Sequence, residues 1–193
     1  MVVFETLSDI CKHAAARIAE GATQWRSPFH APVVATADAR ARVIVLRQFD
    51  PEGWTLRFNT DARAPKTRMI EEMPQMGVLF YDPAAKLQVR LHGQARIQAH
   101  GEEADAAWAA ATRFARRCYL GDVPGAGCDG PSSGLPAEVE GIEPDDAQLL
   151  PARENFAVIL FAARELDVLR LAHTGHRRAR FTLPQGEGCW IAP

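Results

Sequence analysis

Short strand-like runs separated by tight-turn residues, with few helical stretches to link them, constrain this chain most. Arg42-Val43-Ile44-Val45-Leu46-Arg47 sets four apolar strand-formers between two arginines. Asp50-Pro51-Glu52-Gly53 then forms a turn, because proline presets φ and glycine closes the bend. Trp54 to Asn59 returns as a partner, which predicts an antiparallel hairpin. Pro32 to Ala37, Met76 to Tyr81, Leu87 to Gln98, Phe156 to Ala163, Asp167 to Ala172 and Arg178 to Leu183 read as further strands. Gly93, inside the long run from Leu87, is a candidate bulge. Six or seven strands with hairpin-type links predict a mainly β fold, an antiparallel barrel with flanking helices. A doubly wound parallel sheet is excluded, since its crossover helices are too few.

The helical signals are local. Thr6-Leu7-Ser8-Asp9 resembles a capping box, and Leu7, Cys11, Ala14, Ala15 and Ile18 recur at helical spacing. Residues 1–25 are thus an N-terminal helical segment, the helix reaching about Gln24. Glu102 to Arg117 reads as an alanine-rich helix. Residues 121–150 hold many glycines, prolines and acids and few large apolar side chains, which predicts a long loop excursion. Pro184 to Gly188 turns the chain into a last short piece around Trp190.

With 193 residues and 47% hydrophobic content, the expectation is one domain, 1–193, with an ample core. A formal charge of −2 argues against nucleic acid as a partner. No apolar run is long enough for a bilayer, so no membrane partner is expected. Met1-Val2-Val3-Phe4-Glu5 lacks a secretory pattern, and Cys11, Cys118, Cys128 and Cys189 form no C-x-x-C pair. These features predict a cytoplasmic protein with reduced thiols and no metal centre.

One segment runs against helix electrostatics. Thr60 to Glu72 reads as a strand end turning into a helix, with Pro65 at its first position. Arg63, Lys66 and Arg68 crowd the start, where the helix dipole favours anions. Free N–H groups with arginine and lysine there suit a phosphate; the alternative is a solvated basic turn. On the strand Arg42 to Arg47, Arg42 shares a face with Ile44 and Leu46, and Arg47 with Val43 and Val45. Such arginines need salt-bridge partners or a forked anion ligand. Gln88 is either a surface residue or a donor–acceptor group for a heterocycle. His173-Thr174-Gly175-His176-Arg177-Arg178-Ala179-Arg180 is a basic turn, in which Arg180 opens an apolar strand. Walker, dinucleotide-binding, nucleophile-elbow and zinc-protease signatures are absent from the sequence.

Five segments, in order, resemble the pyridoxamine 5′-phosphate oxidase-related FMN-binding split-barrel superfamily. They are Arg42 to Arg47, Phe58 to Lys66, Leu87 to Ala95, Leu166 to Leu169 and Arg180-Phe181, with the tail Trp190 to Pro193. The resemblance covers residues 30–100 and 155–193. It implies an antiparallel split β-barrel of Greek-key type that forms a homodimer, with FMN at the interface. It implies that Arg42 and Lys66, helped by Thr60, hold the FMN phosphate and that Arg47 lies near the isoalloxazine. Val43 and Val45 then offer backbone contacts, and Gln88 and Arg180 reach the flavin from later strands or across the interface. Asn59, Arg63 and Pro65 fall within the matching phosphate segment.

The departures are specific. Leu169 stands where the oxidase has an aromatic flavin neighbour. Its phosphate-gripping substrate segment is not reproduced in Trp108 to Leu120, where Arg113, Arg116, Arg117 and Tyr119 fall in another register. His176 stands at the position of a substrate-binding arginine. The resemblance therefore implies an FMN-dependent oxidoreductase passing hydride through flavin N5, with an unidentified small-molecule substrate. The alternatives are a non-catalytic flavin carrier and a haem- or anion-binding split barrel.

Overall fold

The computed structural model describes residues 5–193. Its elements in chain order are α1 (Leu7–Thr23), β1 (Val33–Thr36), β2 (Ala41–Val43), β3 (Leu46–Asp50), β4 (Thr55–Asp61), α2 (Pro65–Glu72), β5 (Gln75–Asp82) and β6 (Leu87–Gln98). Then come α3 (Glu102–Ala110), α4 (Arg113–Arg116), three 3-10 turns (Arg117–Leu120, Ala137–Val139, Leu150–Asn155), β7 (Phe156–Arg170), β8 (Arg177–Thr182) and β9 (Glu187–Trp190). The sheet runs β2-β1-β5-β6-β7-β4-β3, with β8 paired to β7 and β9 to β8. The pairs β1–β2, β1–β5, β3–β4, β5–β6, β7–β8 and β8–β9 are antiparallel.

The chain forms two compact units. The first comprises the segment up to Phe58, Met73–Ala95 and Leu160–Pro193. Its core collects the inward residues of alternating strands: Leu46, Leu56, Phe58, Phe80, Val89, Leu91, Phe161, Leu166 and Phe181. Phe29 stacks on Phe80 at 5.0 Å, and α1 adds Ile10, Ala14 and Ile18. The second unit comprises Asn59–Glu72 and Arg96–Ile159. Its centre is a ring cluster in which Phe156 meets Trp108 at 5.3 Å and Tyr119 at 5.0 Å, both edge-on.

The local chemistry behaves as expected in several places. Thr6 caps α1 by accepting from the Asp9 N–H at 3.1 Å, and its hydroxyl donates to the Asp9 carboxylate at 2.6 Å. Residues 1–4 of the expected N-terminal segment lie outside the described residues. Asp50 builds its turn by accepting from the Glu52 and Gly53 N–H groups at 3.1 and 3.0 Å. β6 has the predicted bounds.

Elsewhere tertiary pairing overrides the sequence pattern. The expected strand Arg42 to Arg47 is broken at Ile44-Val45, because its halves pair with different neighbours, β2 with β1 and β3 with β4. At the break, Ile44 and Leu46 donate instead to the carbonyls of Pro32 and His30. The two-face alternation of Arg42 and Arg47 therefore does not run through. Gly93 is not a bulge: the β5–β6 register passes through Met76↔Gly93 without a shift. Glycine is needed there because a Cβ would sit 2.1 Å from the Ala162 carbonyl oxygen. The helix expected over Glu102 to Arg117 ends at Ala110 and restarts at Arg113, where Thr112 caps by accepting from the Ala115 N–H. Phe156 to Ala163 and Asp167 to Ala172 are one continuous strand, β7, since Arg164–Leu166 also pairs, in part with β8. Among the described residues there are nine strands rather than six or seven.

Candidate functional site

In the second unit, β4 ends at Asn59-Thr60-Asp61 and the chain turns tightly into α2, whose first residue is Pro65. The turn is braced by Thr67, whose hydroxyl donates to the carbonyls of Ala62 and Ala64 at 2.8 and 2.7 Å. Asp61 accepts from the Arg63 backbone N–H at 2.8 Å, from its Nε at 3.0 Å and from its Nη2 at 2.7 Å. That hydrogen bonding raises the Arg63 pKa. Nη2 also donates to the Gly121 carbonyl. Arg68 pairs with Glu72 at 2.7 Å. Two of the three cations that crowd the start of α2 are therefore matched by carboxylates of their own segment. Lys66, the third, is half-buried and also engaged, and Thr60 in the same turn is buried, its hydroxyl donating to the Asp61 carbonyl at 3.3 Å.

In the first unit, Arg42 lies in the β1–β2 hairpin and donates to Thr36 Oγ1 at 2.8 Å. Thr36 in turn donates to Asp38 at 2.6 Å, and this bond, with the nearby Arg40 and Arg42 charges, keeps Asp38 below the usual carboxylate range. Val43 is 64% exposed, Arg47 is exposed, and Val45 is half-buried in the break between β2 and β3.

Gln88, Leu169 and Arg180 come together on one sheet face. Gln88 and Arg90 alternate with the buried Leu87, Val89 and Leu91 on β6. Arg90 Nη2 reaches across to Asp167 Oδ2 on β7 at 2.7 Å. Asp167 pairs in register with Arg180, and Leu169 with Arg178, on β8. Arg178 forks onto Asp167 with Nε at 3.1 Å and Nη2 at 2.8 Å. The Asp167 side chain is 1% exposed. Burial alone would raise its pKa; hydrogen bonds and charge from Arg178 and Arg90 outweigh that and hold it below the usual range. Arg180 stays exposed, 3.7 Å from Glu165.

The Arg90–Asp167–Arg178 cluster fixes the face that presents Gln88, Leu169 and Arg180, and sequence reasoning missed it. The available signal was an acid in the apolar run Leu166-Asp167-Val168 and an arginine two positions after Gln88. The pairing of Arg90 with Asp167 spans 77 positions, which no local pattern reports.

Other candidates are engaged inside the second unit. Arg113 pairs with Asp146 at 2.8 Å. Arg116 donates to the Trp108 and Ala109 carbonyls at the end of α3 and stacks over Trp108. Arg117 is buried and donates to the Val139 and Ile142 carbonyls, anchoring the long loop. In the first unit, His176 Nδ1 accepts from the Ala172 N–H, closing the β7–β8 loop. Among the described residues no group of three or more metal-ligating side chains occurs, and no helix is long and apolar enough to cross a membrane.

A family model described as pyridoxamine 5′-phosphate oxidase, FMN-binding domain, matches residues 14–99. Among solved structures, the chain is similar to a pyridoxamine 5′-phosphate oxidase-related, FMN binding protein from Nostoc punctiforme PCC 73102. Identity is 21% over 100% of this chain and 99% of that one, with a TM-score of 0.69. It is also similar to PhzG from Burkholderia lata 383 in complex with tetrahydrophenazine-1-carboxylic acid, at 17% identity over 100% and 98% of the two chains, TM-score 0.67. No curated protein matches the chain. The resemblance to the pyridoxamine 5′-phosphate oxidase-related superfamily thus stands, and the fold is its antiparallel split β-barrel with flanking helices.

Proposed function

We propose that this chain is an FMN-dependent oxidoreductase that acts as a homodimer on a small organic substrate. The observation that carries the reading is the family match over residues 14–99, which spans every expected flavin contact except Leu169 and Arg180. The residues present fit the cofactor. At the start of α2, the half-buried Lys66 and the buried Thr60 supply an ammonium and a hydroxyl to the phosphate-type turn. On the β6–β8 face, Gln88 supplies an amide donor and acceptor and Arg180 an exposed guanidinium.

FMN, when bound, supplies hydride exchange at N5. Lys66 and Thr60 would hold the phosphate, the lysine through its charge. The resemblance assigns the phosphate to Arg42 as well, whose guanidinium donates to Thr36. Gln88 would contact the flavin through its amide, and Arg47 or Arg180 would supply positive charge beside it. Leu169 would give the flavin an aliphatic neighbour where the family's oxidase has an aromatic one. With the substrate segment not reproduced, and Arg113, Arg116 and Arg117 engaged within the second unit, the substrate would not be held as a pyridoxamine phosphate is.

That same engagement of Arg113, Arg116 and Arg117 favours one alternative, a flavin carrier without turnover. The test is the visible spectrum of purified protein with the released cofactor identified by mass, followed by anaerobic titration with nicotinamide reductants. Flavin bands that bleach support the oxidoreductase; bands that do not bleach support the carrier. A colourless protein that takes up no added FMN overturns both.

A further inference from the structure

We propose that the cavity beneath the β5–β6 turn and the β7–β8 loop is a second ligand site, for a small aromatic anion. It measures about 740 Å³, within the range of small-molecule pockets. Lys86, Arg170 and Arg177 line it, with Glu5 the one acid among the described lining residues, although the chain as a whole carries a net charge of −2. Trp190 and Leu171 supply apolar surface; both are exposed. Cations beside an accessible indole suit a flat ring bearing a carboxylate or sulfonate.

The cavity is separate from the proposed flavin face. Leu169↔Arg178 and Asp167↔Arg180 put those side chains on one side of β7 and β8. Arg170↔Arg177 and, on β9, Ala179↔Trp190 put the cavity residues on the other. None of the expected flavin contacts lines it.

The walls are preformed. The Leu171 N–H donates to the Lys86 carbonyl at 3.0 Å, tying the two loops together, and the Gly175 N–H donates to the Ala172 carbonyl at 3.1 Å. Lys86 sits at φ 51°, a left-handed backbone where glycine or asparagine is unstrained. Turn geometry therefore does not account for a lysine there, and its side chain lines the cavity. Lys86 and Arg177 make no ion pair with a carboxylate among the described residues, and Arg177 donates only to the His176 carbonyl at 3.2 Å. The positive field extends to His13, whose imidazole pKa is pushed down by burial and then by the Arg17 and Arg170 charges.

The experiment is calorimetric titration of the purified full chain with naphthalene-2-carboxylate and with its neutral analogue, naphthalene-2-carboxamide, with and without added FMN. The carboxylate is expected to bind once per chain and the amide at least tenfold more weakly. Arg177→Ala and Lys86→Gln should each weaken the carboxylate at least fivefold, whereas Lys66→Ala should leave it unchanged. Should Arg177→Ala fail to fold, Lys86→Gln on the exposed turn decides the question. No binding, equal affinity for the amide, or wild-type affinity in Lys86→Gln overturns the proposal. Failure of FMN to bind would leave this result standing, since the two sites share no residue.

Discussion

Replacing Asp167 with asparagine removes one negative charge from between two guanidinium groups and leaves its shape nearly intact. The Asp167 side chain is 1% exposed, and it accepts from Arg90 at 2.7 Å and from Arg178 at 2.8 and 3.1 Å. Breaking a fully buried pair by removing one partner costs roughly 3–5 kcal/mol. Here the arginine side chains are 36% and 22% exposed, so both can recover hydration, and the asparagine carbonyl still accepts one hydrogen bond. The expected loss is therefore about 2–3 kcal/mol at pH 7. For a chain of this length, that lowers Tm by roughly 4–12 °C. Thermal unfolding followed by circular dichroism at fixed protein concentration reads it.

The pH dependence carries a second signature. The folded pKa of Asp167 lies below its unfolded value, so the carboxylate's contribution is fully present above the unfolded pKa, about 3.9. It disappears as pH falls through the folded pKa. The gap between wild type and Asp167→Asn should be flat from pH 7 to about pH 5 and narrow below about pH 4. A Tm change under 1 °C at pH 7, or a gap unchanged at pH 3, would refute a stabilising role for the cluster.

Lys66→Ala should weaken FMN binding by about 1.5–3 kcal/mol, the scale of a hydrogen bond to a charged group; flavin fluorescence titration checks it, and unchanged affinity removes the phosphate role. Gly93→Ala should destabilise by at least about 1–3 kcal/mol through overpacking against the Ala162 carbonyl, read by denaturant unfolding; a stability gain would contradict the close approach. Thr6→Ala should cost about 1 kcal/mol through loss of the α1 cap, with amide exchange accelerating in the first turn. Size-exclusion chromatography with light scattering should give twice the 21.2 kDa chain mass; a monomer at micromolar concentration would remove the dimer from the proposal.

Much of the fold was legible wherever a structure depends on residues close in sequence. The Thr6 cap, the Asp50 turn, the Pro65 helix start and the bounds of β6 each follow from side chains within a few positions of the backbone groups they satisfy. The crowding of cations at the start of α2 was also visible, but its meaning changed once Asp61 was seen to take Arg63. That carboxylate is only two residues away; what the sequence does not state is the turn that folds the guanidinium back onto it.

Tertiary structure alone decided the rest, because pairing partners are chosen across the chain. Arg42 to Arg47 looks like one strand, yet its halves belong to different ladders, so it breaks at Ile44-Val45. Phe156 to Arg170 looks like two strands, yet continuous pairing makes one. Gly93 looks like a bulge, yet Ala162 demands the missing Cβ. The buried charge of Asp167 is tolerable only because Arg90 and Arg178 arrive from two other strands. Composition and turn chemistry therefore determined that this chain would be an antiparallel barrel. Which of its charges meet was decided only by register, since a buried charge must find a partner wherever the sheet places one.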